Sequence, residues 1–421
     1  MGSDAVAIVP GASVVPRSGD THYRFRQNSD FWYLTGFAHP DATAIFSTLP
    51  DRPAYSLWVQ PRDPAAETWT GYRPGVEGAV ADYGADEAGS SADLSERLQE
   101  IVEGATRLYH GLGRRPGLDE KLIAIQDALR LQSRRGATPV AQWVDPRSIL
   151  HEMRLIKSDE EIELMRVAAD ISRQAHEAAA HATAPGRFEY EIEATLDHVF
   201  RGRGGWGPAY ESIVAGGGNA AILHYVANDQ PLQAGDLLLI DAGCEYQGYA
   251  SDVTRTYPVG GRFEGAGRDL YGAVLAAQEA AIAAAGPGTT LPTLHALACR
   301  KLVEGMVAIG LMQGDIDELI ESEAYRRYYM HGTSHWLGLD VHDVGSYTDG
   351  GKPRSLEPGM VFTVEPGLYI ANNDEEAPKA FRGMGVRIED DLVITTDGCE
   401  NLNAAIPKKM DDIESQVGDR N

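Results

Sequence analysis

The sequence predicts a two-domain protein of the α/β (α+β) class. Three observations lead there. Its 421 residues exceed what a single hydrophobic core ordinarily serves. Short apolar runs of β type recur between long amphipathic helices. A connector, Gly136–Arg147, carries Pro139 and Pro146 and separates a smaller part, 1–150, from a larger one, 151–421.

In chain order, 5–15 and 54–60 read as strands, and 92–103 and 118–133 as helices. Beyond the connector, 158–182 is a long amphipathic helix, with Ser158 as N-cap, Glu161 completing a capping box and Pro185-Gly186 stopping it. A second helix covers 188–203. Strands follow at 210–215, 237–241 and 249–257, helices at 266–285 and 290–309, and strands near 361–365, 368–371, 384–389 and 391–395.

Hydrophobic residues at 43% and charged residues at 24% place the chain among globular proteins. A formal net charge of −25 excludes nucleic acid as a partner, because phosphate binding needs a basic surface. No stretch approaches the ~18 apolar residues of a membrane span. The first basic residue is Arg17 and the apolar run Ala5–Pro10 is too short for a secretion signal. Cys244, Cys299 and Cys399 have no metal-type spacing and suit a reducing compartment. Together these predict a cytoplasmic protein with no membrane partner.

The chemistry lies in ionisable residues placed where apolar strands should be buried. Leu237-Leu238-Leu239-Ile240 runs into Asp241, and a carboxylate closing such a strand is costly unless something pairs it. The segment 250–256 puts Asp252 inside the next strand. Gly243 and Gly248 supply the bend, so a hairpin brings the two aspartates side by side. A divalent cation is one way to hold both ionised. Val361-Phe362-Thr363-Val364 runs into Glu365, and Gly385-Val386-Arg387-Ile388 into Glu389. The segment 331–343 adds His331, His335 and His342. Four carboxylates and one histidine suit Mn, Fe or Co better than a structural zinc. Five ligands are too many for one catalytic metal that keeps an open position, so two metals sharing carboxylates is the better count. Taken singly, each residue has a plainer reading: a strand-end Asp as a turn residue, His335 as a core histidine, Arg387 as a neutraliser of Glu389. The joint order carries the weight. On the 158–182 helix His176 serves as a comparison: His176→Ala should do little to metal content and turnover beside the loss of a proposed ligand.

The segments IDAGCEYQGYASDVTRTYPV, HGTSHWLGLDVHDVG, LEPGMVFTVEPGLYI and GVRIEDDLVIT resemble the metal-binding signature of the aminopeptidase P family, a pita-bread metallopeptidase family related to prolidase and methionine aminopeptidase. RFRQNSDFWYLTGF (24–37) and LHEMRLIKS (150–158) extend the resemblance over nearly the whole chain, which lacks the leading helix expected of that family. The resemblance implies a creatinase-type α/β N-terminal domain over 1–150 and a pita-bread catalytic domain over 151–421. It implies a metallo-exopeptidase that hydrolyses the N-terminal Xaa-Pro bond through a hydroxide bridging two divalent ions, of which Mn2+ is expected. Asp241 would chelate one ion, Asp252 and Glu389 would bridge, and His335 and Glu365 would hold the other. Glu365 would also shuttle a proton, His342 would steady the oxyanion, and His224 would lie against the substrate carbonyl and proline. Tyr210, His331 and Arg387 would line the pocket, with Tyr369 orienting a ligand. An Xaa-Pro bond has no N–H to recognise, so such a site needs a shape for the proline ring, and Trp336, Tyr210 and the histidines are the candidates for its apolar faces. A homo-oligomer, dimer or tetramer, is implied, with Asp20 and Trp69 at an entrance. Prolidase, which takes only dipeptides, is the alternative. A non-catalytic binding protein on this fold is disfavoured because such proteins lose ligands and all five are present here.

Overall fold

The computed structural model describes residues 1–418. Its contacts divide the chain into two compact units, Met1–His151 and the remainder from Glu152 onward.

The first unit is built on a mixed six-stranded sheet in the order Glu87–Ser90, Tyr55–Val59, Thr43–Ser47, Ala5–Pro10, Arg107–Tyr109, Gln142–Val144. Ala5–Pro10 is central, antiparallel to Thr43–Ser47 and parallel to Arg107–Tyr109. It is nearly continuously buried because apolar side chains cover both of its faces. The expected strand 5–15 stops at Pro10. Helices Leu94–Val102 and Pro116–Gln132 occupy the segments read as helical, and Leu98, Val102, Leu122 and Leu129 pack with Val6, Ile8 and Leu108. The 24–37 motif is a capped helix. The Asn28 side chain accepts the Phe31 N–H, and Gly36, in the left-handed region at φ 60°, closes Ser29–Thr35.

In the second unit Asp159–Ala182 begins with the capping box of Ser158 and Glu161. Helices Glu189–Gly202, Gly265–Ala284 and Leu291–Ala308 also match their sequence patterns to within a residue or two. The strands form small antiparallel sheets. One runs Ile213–Gly216, Leu237–Asp241, Thr254–Pro258, another Val361–Val364, Asp390–Ile394, Cys399–Asn401, and Gly367–Ile370 pairs with Met384–Arg387. Among the described residues no helix is long and apolar enough to cross a membrane. The three cysteines are free.

Two further expectations change. The strand expected over 249–257 is broken. Tyr249–Ala250 pairs with Cys244–Tyr246, Thr254–Pro258 pairs with Leu237–Asp241, and Asp252 sits in the gap between. The break follows from a close chain crossing: a Cβ on Gly243 would lie 1.7 Å from the Ser251 carbonyl oxygen, so only glycine fits. His176 is fully buried, 3.0 Å from the Ala242 carbonyl oxygen and 3.2 Å from the Tyr257 hydroxyl, so it is a structural group of the core. Trp336 lies in the core, stacked on Tyr347 and edge-on to Phe362.

Candidate active site

The ends of the apolar strands converge on one cavity of about 530 Å³. The ten residues expected to hold metal, bind substrate or act in catalysis line it: Tyr210, His224, Asp241, Asp252, His331, His335, His342, Glu365, Arg387 and Glu389. Ile213, Leu223, Val226 and Val341 supply its apolar wall, and Trp336 is not among the lining residues.

Donor atoms of Asp252, His335 and Glu389 lie within 4.8 Å of one another. His335 Nε2 is 3.3 Å from Asp252 and 3.6 Å from Glu365. Its Nδ1 is 3.0 Å from the Trp336 carbonyl oxygen, which can only accept, so Nδ1 carries a proton and Nε2 faces the carboxylates. Asp241 is held apart from this trio. Arg387 Nη2 donates to its Oδ2 at 2.5 Å and the Tyr210 hydroxyl to its Oδ1 at 2.6 Å.

The charges are unbalanced. Burial raises the pKa of Glu389 well above the usual carboxylate range, and Asp252, Glu365 and Asp241 raise it further. Glu365 is pushed up to about 7 by burial, against the pull of His335 and Arg387. Burial opposes charge on His335, but the hydrogen bond to Asp252 and the nearby Glu365 outweigh it and lift its pKa to about 9. Like charges thus hold protons in a pocket of oxygen and imidazole donors, and a divalent cation can replace those protons. The donor set fits such an ion.

A directed hydrogen-bond chain lines one wall. Arg387 Nη1 donates to the Tyr369 hydroxyl at 3.1 Å, leaving that hydroxyl's proton for His331 Nε2 at 2.8 Å. His331 Nδ1 is 2.7 Å from the Gly332 carbonyl oxygen and therefore bears the ring proton. Burial, aided by Arg387, lowers the His331 pKa to about 4, so the ring is neutral. His342 packs edge-on against His335 at 4.3 Å between ring centres, and burial followed by the charge on His335 lowers its pKa. The loop bearing His224 is tied down by Glu189. This buried carboxylate accepts from the backbone N–H of Gly216 and Gln230, the Asn219 amide and the Tyr225 hydroxyl.

The sequence reading missed the groups behind the site. Asp391 accepts from the Ser251 hydroxyl and the Asp252 N–H. Thr254 donates to Glu389, and Glu189 holds its loop. For Thr254 the one signal available was a run of polar residues within a buried strand, Thr254-Arg255-Thr256.

Residues 163–396 match the family model described as metallopeptidase family M24, and residues 1–109 match the aminopeptidase P N-terminal domain. The chain is 45% identical to an Xaa-Pro aminopeptidase of Escherichia coli K12, over 98% of this chain and 93% of that protein. It is 36% identical to human Xaa-Pro aminopeptidase 3, over 98% of this chain and 81% of that one. Its structure is similar to that of a Pseudomonas aeruginosa aminopeptidase (TM-score 0.96, 46% identity, 99% and 94% of the two chains). It also resembles zinc-substituted E. coli aminopeptidase P in complex with product (TM-score 0.95, 44% identity, 99% and 94%). With its own strand ends, cavity and donor set agreeing with these matches, the chain belongs to metallopeptidase family M24, among the members that carry the aminopeptidase P N-terminal domain.

Proposed function

We propose that this chain is an Xaa-Pro aminopeptidase. It hydrolyses the peptide bond before a proline in the second position and releases the first amino acid. Residues 1–150 form its creatinase-type domain and 151–421 its pita-bread catalytic domain. The observation that carries the reading is the trio Asp252, His335 and Glu389, with donor atoms within 4.8 Å in a cavity that also presents His224, His331 and His342.

Asp241, Asp252, His335, Glu365 and Glu389 would hold two divalent ions, and the oxygen-rich set favours Mn2+. When bound, such a pair lowers the pKa of a shared water and supplies hydroxide near neutral pH. The chain's own residues do the rest. Glu365 accepts the water proton and passes it to the proline nitrogen, which leaves as a secondary amine. Water's OH thus ends on the first residue's carboxyl and its proton on nitrogen. His342, kept neutral by burial, donates an N–H to the carbonyl oxygen as charge develops there. His224 approaches the same carbonyl from the Glu189-held loop. Because the scissile bond is a tertiary amide with no N–H, recognition falls to shape, which the apolar wall and the His331 ring supply.

A cytoplasmic location fits the three free cysteines, and a homo-oligomer fits the implied role of the exposed Asp20 and Trp69. The test is product identification after incubation with Mn2+ and Ala-Pro-Ala, Ala-Pro or Ala-Ala-Ala. Alanine is expected from Ala-Pro-Ala with the highest kcat/KM, and a chelator should abolish release. Strong cleavage of Ala-Pro with none of Ala-Pro-Ala would make the enzyme a prolidase. Full activity in protein shown to be metal-free would overturn the metal reading.

A further inference from the structure

We propose that Thr254 is a positioning residue that aims the Glu389 carboxylate at the metal pair, an inference that rests on the metallopeptidase reading above. The Thr254 side chain is fully buried. Its Oγ1 is 2.7 Å from Glu389 Oε2 and 3.1 Å from Arg387 Nε. A hydroxyl has one proton and two lone pairs. The Arg387 Nε–H can only donate, so it takes a lone pair. The single Thr254 proton then points at Glu389 Oε2, and the donation has one direction.

The grip on Glu389 extends to its backbone. The Glu389 N–H donates to the Thr254 carbonyl oxygen at 3.1 Å. Arg255 Nη1 donates both to that carbonyl, at 2.9 Å, and to the Glu389 carbonyl, at 2.6 Å. Glu389 is thereby fixed at its N–H, its C=O and one carboxylate oxygen by two consecutive residues of one strand. That strand also faces the other ligands. Thr254 is the ladder partner of Asp241 and stands two residues after Asp252. Through Arg387, which Thr254 accepts from and which clamps Asp241 Oδ2, one hydroxyl links two of the residues that would hold the ions, Glu389 and Asp241. β-Branching restricts χ1, so the hydroxyl and methyl do not exchange places at low cost. With Oε2 supplied with a proton donor, the carboxylate's orientation is set before any cation arrives.

Partners of this kind behind metal ligands typically contribute ~10- to 100-fold in metal affinity. The same strand provides the control. Thr256 is equally buried and is bonded through its hydroxyl to the backbone of Arg387, not to a ligand carboxylate. The experiment is calorimetric titration of the metal-free protein with MnCl2, with electron paramagnetic resonance of the loaded protein to read spin coupling between paired ions. Thr254→Val should weaken at least one Mn2+-binding step by ~10- to 100-fold and diminish the coupled signal. Thr254→Ser, which restores the hydroxyl, should return affinity to within ~3-fold of the parent, and Thr256→Val should stay within ~3-fold. If Thr254→Val does not fold, Thr254→Ala carries the same expectation. Parent-like Mn2+ affinity without the hydroxyl, an equal loss in Thr256→Val, or no rescue by serine would each overturn the proposal. A parent protein that takes up no Mn2+ would instead remove the metal reading on which it rests.

Discussion

Glu389 and Asp390 are consecutive, both carboxylates and both buried, yet their environments push them in opposite directions. Asp390 faces Arg255 Nη2 at 2.6 Å, Lys408 Nζ at 2.6 Å and the amides of Gln278 and Asn401 at 2.8 Å. Burial alone would raise its pKa, but the two cations hold it well below the usual carboxylate range. Glu389, just before that strand, lies among Asp252, Glu365 and Asp241, and burial with these carboxylates outweighs the pull of Arg387 and holds it well above that range. Burial is common to both, so it cannot be what marks a functional carboxylate. The mark is an excess of carboxylates over the cations Arg387 and His335 beside them. Asp390 belongs to a closed network of structural charges, whereas Glu389 belongs to a set that a cation completes.

The comparison breaks most sharply with one substitution in each environment. Asp252→Asn should lower kcat/KM by ~10³-fold or more, about 4 kcal/mol, while the metal-free protein keeps or gains thermal stability because a repulsive charge is gone. Steady-state kinetics and a melting curve on chelated protein read both; unchanged turnover would remove Asp252 from the metal site. Asp390→Asn should do the reverse in stability, losing ~3–5 kcal/mol in chemical denaturation by leaving Arg255 buried without its partner. His176→Ala tests a neutral buried group. It should cost ~2–3 kcal/mol through a cavity and two lost hydrogen bonds, with metal stoichiometry retained.

The smallest effect is in pH. Glu365 and His335 both have folded-state pKa values raised above their ordinary ones, to about 7 and about 9. The stability each contributes is complete below its unfolded pKa and lost as pH rises through those values. The melting temperature of metal-free protein should therefore fall, on the order of 5 °C, between pH 7 and 9, above the range in which the lowered pKa values of His176, His331 and His342 act in the opposite sense. Mn2+ should bind more tightly over the same interval as it displaces protons. A metal-free melting temperature that rose with pH would contradict the charge imbalance.

Legibility in the sequence follows length and period. Asp159–Ala182 carries six turns of pattern and a capping box, and Leu237–Asp241 is an unbroken apolar run, so both are plain. The strands Arg107–Tyr109 and Gln142–Val144 have three residues each, too few for alternation to show. Thr43–Ser47 has buried residues in succession and gives no period either. The gap at Ser251–Val253 was invisible because nothing local says that Gly243 must pass against Ser251. The ligand candidates were readable because a carboxylate at the end of an apolar strand violates the local pattern. Thr254 and Glu189 were not, since a threonine suits a strand and a glutamate suits a helix N-terminus. Only the tertiary structure shows which groups they address.

The four hydrogen bonds that Glu189 accepts bind the segment between Gly216 and Gln230 into a single knot. Such a knot has no half-tied state of low energy, because releasing one donor leaves a buried carboxylate short of partners. The amides of Gly216 and Gln230 should therefore exchange with deuterium at one common rate, as a cooperative unit that opens together. His224 rides on that unit. A solvent-isotope measurement on two backbone amides therefore reports how often the loop that carries this histidine comes undone.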